Sequence, residues 1–188
     1  SSYFPESCLY GGSLSKVLAP GLRLGFVVAP PAVYPKLLQA KQAADLHSPN
    51  LNQRLAAEVL SVPGFLEEHL PRVRQLYKSQ CQVMLDALQK HMPESVTWNT
   101  PHGGMFIWLR LPEGIDSAAM LPRAVAKGVA YVPGAIFYDA SPDVRNIRMS
   151  FVTASAEQID KGVRLLAETI KEELAQGKAQ VAADGAQG

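Results

Sequence analysis

The sequence lacks any imbalance of charge, and this restricts the partners that it can bind. Its 18 lysine and arginine residues and 17 aspartate and glutamate residues leave a formal net charge of +1. A nucleic-acid-binding domain usually carries a strongly basic patch or stripe, so we expect no nucleic-acid partner. Charged residues make up 19% of the chain and hydrophobic residues 47%, proportions that are typical of a soluble globular protein.

Cysteines and long apolar segments are also scarce. The two cysteines, Cys8 and Cys81, lie far apart within apolar patterns, which is typical of reduced residues in a cytosolic protein. No apolar run approaches the roughly 20 residues of a membrane span, and no signal peptide opens the sequence. We therefore expect a cytoplasmic protein with no membrane partner and no metal site.

Residues 11–25 concentrate glycine and polar residues between two apolar runs. They include two hydroxyls and two cations at Ser13, Ser15, Lys16 and Arg23. A short apolar run bounded by glycine predicts a buried strand, and a polar turn between two such strands is a common place for a small-molecule site. The segment is therefore the first candidate for chemistry.

Arg23 is predicted to lie on the second of these strands. Alternation along the strand places Arg23, Gly25 and Val27 on one face, opposite Leu24 and its apolar neighbours. A buried guanidinium without a partner is costly, and Gly25 is expected to leave open space beside it. The pattern therefore predicts a bound anion.

The motif S-x-S-K-x-x-x-P-G-L-R-x-G in this segment resembles the lysine segment of fold-type I aminotransferases that use pyridoxal 5′-phosphate (PLP). The resemblance implies that Lys16 forms an imine with the cofactor aldehyde. It also implies that Ser13 and Arg23 hold the cofactor phosphate and that Ser15 adds a further phosphate contact. The residue types suit these roles, because a lysine amine makes a reversible imine and a guanidinium with hydroxyl donors suits a phosphate dianion.

Two other interpretations of the segment are open. A lysine in a loop is often simply solvated. The residues from Ser13 to Lys16 also match the S-x-x-K pattern of serine acylases, with Ser13 as the nucleophile. That pattern requires S-D-N and K-T-G companions, and the sequence contains neither.

A second arginine lies in an apolar strand predicted over residues 146–152. Alternation puts Arg148 on the opposite face from Ile147 and Met149, and an isolated guanidinium there again calls for an anion. The segment resembles N-x-x-R-[LM]-S-[FY] of the same family, although Asn146 stands one residue too close to the arginine. The resemblance implies that Arg148 binds the α-carboxylate of an amino acid. The alternative is a structural ion pair with a nearby carboxylate.

Periodicity and turn signals predict the remaining elements. We expect helices over residues 32–46 and 50–60, a long amphipathic helix that starts or kinks at Pro71, strands over 96–98 and 105–111, a helix capped by Ser117, and a last helix from the capping box of Ser155 and Gln158 to about Leu174.

Residues 39–53 resemble the branch of the family that handles 2-aminoadipate, kynurenine and other bulky or acidic amino acids. In that branch the corresponding loop lies at a dimer interface, so the resemblance implies a homodimer. The alternative is an ordinary loop with a solvated His47.

The expected architecture is an α/β chain in several parts. Residues 1–70 would form the end of the PLP-binding large domain, residues 71–95 a linking helix, and residues 96–175 a small α+β domain. The small, polar residues 176–188 are expected to form a disordered tail.

The implied reaction is transamination between an L-amino acid and a 2-oxo acid, with PLP as cofactor. The resemblance covers only the C-terminal half of the family, so we expect a partial chain that is inactive alone. One alternative is the PLP-sensing, aminotransferase-like domain of a transcriptional regulator. Another is an inactive module that persists as part of a dimer scaffold.

Overall fold

The computed structural model describes residues 6–185, with side chains described as far as residue 177. The chain divides into two compact units, Ser1–Arg72 and Val73–Gly188. The division falls inside one long helix. The predicted division into a large domain to residue 70, a linking helix and a small domain stays a prediction. The mixture of helix and sheet confirms the predicted α/β class.

The first unit consists of a β-hairpin followed by helices. Its elements are β1 (Tyr10–Ser13), a 3-10 turn (Pro20–Leu22), β2 (Gly25–Val28), α1 (Tyr34–Asp45), α2 (Asn50–Leu60) and the first part of α3 (Phe65–His91). The two strands pair antiparallel, with Ser13 opposite Gly25. Helix α2 has the predicted bounds, and Pro71 lies inside α3 rather than at its start.

The hairpin strands form where they were predicted, but they are not buried. Tyr10, Phe26, Val27 and Val28 are between 47% and 61% exposed. The reason is that burial needs neighbouring strands or helices, and within the described residues β1 and β2 form a sheet of two strands. The prediction of buried strands was therefore wrong for this chain.

The second unit is built on a four-stranded antiparallel sheet with helices. The strands lie in the order β3 (Thr97–Trp98), β4 (Phe106–Arg110), β6 (Asn146–Ser150) and β5 (Val132–Pro133). A second 3-10 turn (Gly134–Phe137) follows β5, and the helices are the end of α3, α4 (Ser117–Ala126) and α5 (Ala156–Gly185).

The core of this unit lies on one face of β4 and β6. Ile107, Leu109 and Ile147 have no exposed surface, and they belong to one apolar cluster with Leu88 of α3. The predicted stripe of α5 is buried in the same cluster, at Ile159, Val163, Leu166 and Ile170. Alternation on β6 is also as predicted, since Ile147 and Met149 are buried while Arg148 is half-buried.

Helix α5 begins as predicted and extends further than predicted. Ser155 and Gln158 form the reciprocal capping box, with the Ser155 amide donating to Gln158 Oε1 at 2.8 Å and the Gln158 amide donating to Ser155 Oγ at 3.2 Å. The helix passes the predicted end at about Leu174 and continues to Gly185. Alanine, glutamine and lysine have high helix propensity, which is compatible with helix in residues 176–185, where disorder was expected. Residues 186–188 lie outside the described residues.

The N-cap of α4 is Asp116, not Ser117. The Asp116 carboxylate accepts hydrogen bonds from the amides of Ala118 at 2.7 Å and Ala119 at 3.2 Å. Ser117 is the first helical residue, and its Oγ is buried without a hydrogen-bond partner in the described part of the chain. The helix therefore starts one residue earlier than the predicted cap implies.

Replacing the cap should distinguish these two residues. Asp116→Ala should lower the free energy of unfolding by about 1 kcal/mol, because two amides at the start of α4 lose their acceptor. Ser117→Ala should be neutral or slightly stabilising, because it removes a buried hydroxyl that has no partner. Urea titration of the three proteins measures both effects, and the reverse ranking would restore Ser117 as the cap.

An ion-pair cluster lies where the chain enters β6. Asp143 accepts hydrogen bonds from Arg145 Nε at 2.8 Å and from Arg110 Nε at 3.0 Å, which joins β4 to the start of β6. The side-chain hydrogen bond from Arg145 is the main reason why the pKa of the Asp143 carboxyl lies well below its usual range. The same bond raises the pKa of Arg145.

This cluster should make stability depend on pH in a defined window. A carboxyl whose pKa is lowered by folding stabilises the folded state above its unfolded pKa of about 3.9, and the stabilisation is lost as the pH falls below that value. Asp143→Asn should therefore be less stable than the parent at pH 7, and the difference should shrink below pH about 4. Urea unfolding of both proteins across this range tests the sign, with Glu94→Gln, at an exposed carboxylate, as the control. A difference that does not change with pH would contradict the assignment.

Candidate functional site

Lys16 lies in the turn that joins the two strands of the hairpin. The amides of Leu18 and Ala19 donate to the Leu14 carbonyl at 2.9 and 3.1 Å, and the Leu14 amide donates to the Leu24 carbonyl at 3.0 Å. These bonds fix the backbone on both sides of the lysine. The side chain of Lys16 is exposed, and no carboxylate among the described residues forms an ion pair with it.

The two serines before the lysine form a local turn of their own. Ser13 Oγ accepts a hydrogen bond from the Ser15 amide at 3.2 Å, which is how a serine side chain stabilises a bend in the backbone. The hydroxyl proton of Ser13 is not used by this bond and remains able to donate. Ser13 is exposed and Ser15 is half-buried.

Arg23 does not lie on a strand, and that prediction was wrong. It follows the 3-10 turn Pro20–Leu22 with φ 52° and ψ 42°, in the left-handed region. Its amide and its Nη1 both approach the Pro20 carbonyl, at 3.3 and 3.4 Å. Pro20 and Gly21 favour a tight turn, so the strand begins two residues after the arginine, at Gly25. The guanidinium is exposed and, within the residues that the structure describes, has no carboxylate partner.

The space beside Gly25 is occupied, which also differs from the prediction. A Cβ at Gly25 would lie 2.9 Å from the Gly12 carbonyl oxygen, and a Cβ at Gly12 would overlap the Phe26 ring. Both glycines therefore allow the strands and the ring to approach closely. They do not leave a cavity for a ligand.

Helix α2 contacts this segment through one side chain that the sequence did not reveal. Asn52 Nδ2 donates to the Leu22 carbonyl at 3.0 Å, in a partly buried contact between residues that are far apart in the chain. The bond satisfies a carbonyl at the end of the 3-10 turn and so supports the backbone that presents Arg23. No local pattern in the sequence distinguishes Asn52 from an ordinary polar residue of a helix.

The residues of this turn fit the phosphate and aldehyde groups of PLP. Ser13, Ser15, Lys16 and Arg23 belong to one short segment, and they supply hydroxyl donors, a primary amine and a guanidinium. A guanidinium and hydroxyls suit a phosphate dianion, and two exposed cations without carboxylate partners favour an anionic ligand. The donor set is therefore suited to the cofactor that the sequence implies.

Arg148 lies on β6 in the second unit, opposite Trp108 of β4 and Val132 of β5. Its Cζ atom lies 4.1 Å from the centroid of the Phe106 ring and 4.4 Å from that of Phe137. Its Nε is buried and makes no hydrogen bond to the described residues. The arginine is thus held by aromatic rings and retains unused donors.

The ion pairs near Arg148 in sequence belong to other arginines. Asp143 pairs with Arg110 and Arg145, and Glu113 lies 3.6 Å from Arg145. Arg148 forms no ion pair within the described part of the chain, so the alternative of a structural pair finds no support there. Its guanidinium is free to take a carboxylate from outside the chain.

Asn146 is buried and hydrogen-bonded within the chain. It is buried, and its Nδ2 donates to Tyr138 Oη at 2.8 Å and to the Asp143 carbonyl at 3.3 Å. Both partners lie in the loop that precedes β6. The residue therefore holds this loop against the sheet.

Four of the predicted site residues lie in the first unit and one lies in the second. Ser13, Ser15, Lys16 and Arg23 share the hairpin turn of the first unit, and Arg148 lies on the sheet of the second. Among the residues whose side chains the structure describes, no cluster of histidine, cysteine, aspartate and glutamate could hold a metal ion. Over residues 6–185, no helix combines the length and apolar character needed to cross a membrane.

Comparison with known proteins places this chain among aminotransferases. The sequence is 47% identical over 167 residues to aromatic-amino-acid aminotransferase 1 of Thermococcus litoralis, covering 88% of this chain and 40% of that protein. It is also 39% identical to the uncharacterized HTH-type transcriptional regulator YdfD of Bacillus subtilis, covering 87% of this chain and 33% of the regulator. The chain thus spans about two fifths or less of these curated relatives.

A solved structure gives the same result. The fold matches LysN, an α-aminoadipate aminotransferase from Thermus thermophilus crystallised with N-(5′-phosphopyridoxyl)-L-leucine, with a TM-score of 0.83 and 45% identity. The match covers 89% of this chain and 43% of that one.

The family model for aminotransferase class I and II matches residues 4–166. This range includes the lysine turn, the long helix and the sheet that carries Arg148, so the resemblance drawn from the two arginine motifs is confirmed. The chain belongs to the aminotransferase class I and II family.

Proposed function

We propose that this chain is the part of a PLP-dependent aminotransferase that binds the cofactor phosphate and the substrate carboxylate. The reaction is the transfer of an amino group between an L-amino acid and a 2-oxo acid. The observation that carries the proposal is the hairpin turn, in which Lys16 and Arg23 have no carboxylate partner among the described residues and share one short segment with Ser13 and Ser15.

The residues of the turn divide the work between binding and proton transfer. Arg23 and the two serine hydroxyls hold the phosphate and so fix the position of the cofactor. The cofactor, when bound, withdraws electrons from the substrate Cα and makes its proton labile. The Lys16 amine would be the base that removes this proton.

Arg148 binds the α-carboxylate of the amino acid. A planar guanidinium can donate two parallel hydrogen bonds to a carboxylate, which fixes both its position and its orientation. The buried Nε without a partner supports this role, because a buried donor is costly until an acceptor arrives.

The substrate is proposed to be a bulky or acidic amino acid. The supporting observation is that aminotransferases named for aromatic amino acids, 2-aminoadipate and kynurenine each match this chain over 163 to 168 residues. The enzyme is proposed to work as a cytoplasmic homodimer.

The loop between α1 and α2 is the proposed dimer contact. Leu46 and Leu51 are 67% and 68% exposed, and His47 is exposed with its Nδ1 3.0 Å from the Ser48 carbonyl. Two leucines that are this exposed within six residues of sequence support an interface at this segment.

A second candidate function is the PLP-sensing domain of a transcriptional regulator, which the match to a regulator of Bacillus subtilis favours. A sensing domain needs the phosphate grip of Ser13 and Arg23 but has no need for turnover. Assay of the full gene product for transamination and for DNA binding separates the two. Turnover without DNA binding supports the enzyme, and DNA binding without turnover supports the regulator.

The attachment site of PLP tests the role of Lys16. Incubation of the full gene product with PLP followed by borohydride should leave a pyridoxyl group on the peptide that contains Lys16, as measured by mass spectrometry. Lys16→Ala should lose the label, whereas Lys36→Ala, at an exposed lysine that donates to Gln39 Oε1, should keep it. A label that remains in Lys16→Ala would disprove the assignment.

The kinetics of Arg148 variants test the carboxylate site. Arg148→Ala should raise the KM for amino acids by more than tenfold and leave PLP binding intact, since a lost bidentate charged contact is worth about 2–5 kcal/mol. Arg148→Lys should recover little, because an ammonium cannot replace the planar fork. An unchanged kcat/KM in Arg148→Ala would show that the arginine is structural.

A further inference from the structure

The surroundings of the Arg148 guanidinium are aromatic. The rings of Phe106 and Phe137 both lie against it, with centroids 4.1 and 4.4 Å from Cζ. A guanidinium stacks well on aromatic faces, where the ring attracts its charge and leaves the N–H edges free. Two rings around one arginine therefore limit its rotamers without consuming its donors.

The two rings come from separate elements. Phe106 begins β4 and pairs with Ser150, so it lies diagonally across from Arg148 in the sheet. An aromatic ring in a diagonal position of this kind can reach a long side chain on the neighbouring strand. Phe137 ends the 3-10 turn Gly134–Phe137, which follows β5. The arginine is thus contacted from the sides of both neighbouring strands.

The position of Phe137 is fixed by close packing of its turn on β6. A Cβ at Gly134 would lie 2.6 Å from Asn146 Cβ and 2.9 Å from Trp108 Cη2, so a larger residue cannot fit without displacing the turn. Trp108 also packs edge-on against the Phe137 ring, with centroids 5.8 Å apart.

Tyr138, which follows the turn, accepts a hydrogen bond from β6. Asn146 Nδ2 donates to Tyr138 Oη at 2.8 Å, and Asn146 is 3% exposed. The turn is therefore anchored at both of its ends, at Gly134 and at Tyr138. These contacts hold the backbone that carries the Phe137 ring to Arg148.

We propose that Phe106 and Phe137 are positioning residues, which hold the Arg148 guanidinium in the orientation that receives the substrate carboxylate. This inference rests on the proposed function, in which Arg148 binds that carboxylate. An arginine side chain that is already ordered loses less conformational entropy when it forms the bidentate pair. The rings thus increase affinity for the amino acid without contacting the reacting atoms.

The kinetic test uses the full gene product with PLP bound. Phe106→Leu and Phe137→Leu should each raise the KM for amino acids by about three- to tenfold, with kcat changed less than about twofold. Phe137→Tyr should keep the parental KM, because it keeps a ring over the guanidinium. The matched control is Phe65→Leu, whose ring stacks on His69 at 5.3 Å, and its KM should stay at the parental value.

A spectroscopic test reports on the geometry without turnover. In the full gene product, the Nε–H proton of Arg148 should resonate upfield of an exposed arginine because of the ring currents of the two phenylalanines. Loss of the signal in Arg148→Lys identifies it. The signal should move downfield in Phe106→Leu and Phe137→Leu, and it should not move in Phe65→Leu.

The outcomes separate this inference from the function on which it rests. If both leucine variants keep the parental KM while Arg148→Ala raises it, the positioning role is wrong and the carboxylate role stands. If Arg148→Ala is also without effect, the carboxylate role proposed for Arg148 fails. If the two leucine variants and Phe137→Tyr all lower kcat and thermal stability without changing the KM, the rings have only a structural role. That result would overturn the inference.

Discussion

The pairing of β4 with β6 is the constraint on which the second unit depends. Five residue pairs, from Phe106 with Ser150 to Arg110 with Asn146, set the register. Since side chains alternate between the two faces of a sheet, this register puts Ile147 and Met149 in the core and Arg148 on the other face. A slip of one residue would bury the arginine and expose both apolar side chains. The apolar core therefore fixes where the charge lies.

The first unit holds its candidate site residues in a different way. Its turn is stabilised by short-range bonds to the Leu14 and Pro20 carbonyls and by the amide of Asn52, and few of its side chains are buried. The position of Lys16 thus follows from local backbone geometry, whereas the position of Arg148 follows from a packed core. Local geometry of this kind tolerates an exposed hairpin, because its bonds do not need a surrounding core.

Sequence reasoning succeeded where a feature depends on residues that are close together in the chain. Alternation along β6, the bounds of α2 and the reciprocal capping of α5 depend on residues close in the chain, and all three were predicted. The preference for Asp116 over Ser117 is also local, but the two residues are both good caps, and their order could not be decided from type alone.

The features that the sequence could not reveal depend on distant partners. Burial of the hairpin depends on neighbouring strands, and the contact of Asn52 with the Leu22 carbonyl joins two remote segments. The stacking of Phe137 on Arg148 needs the register of three strands and a turn. Family resemblance singled out Arg23 and Arg148, but it did not predict the left-handed backbone of Arg23, since Pro20 and Gly21 were compatible with either a strand or a turn.

That left-handed backbone has a consequence for how the chain could change under selection. A residue with a Cβ gives up about 1–2 kcal/mol in this conformation, and glycine at position 23 would recover much of it. Laboratory evolution for heat resistance alone, without a requirement for turnover, should therefore accumulate glycine or asparagine at this position. Under the phosphate role proposed for Arg23, an arginine at this position would trade stability for binding.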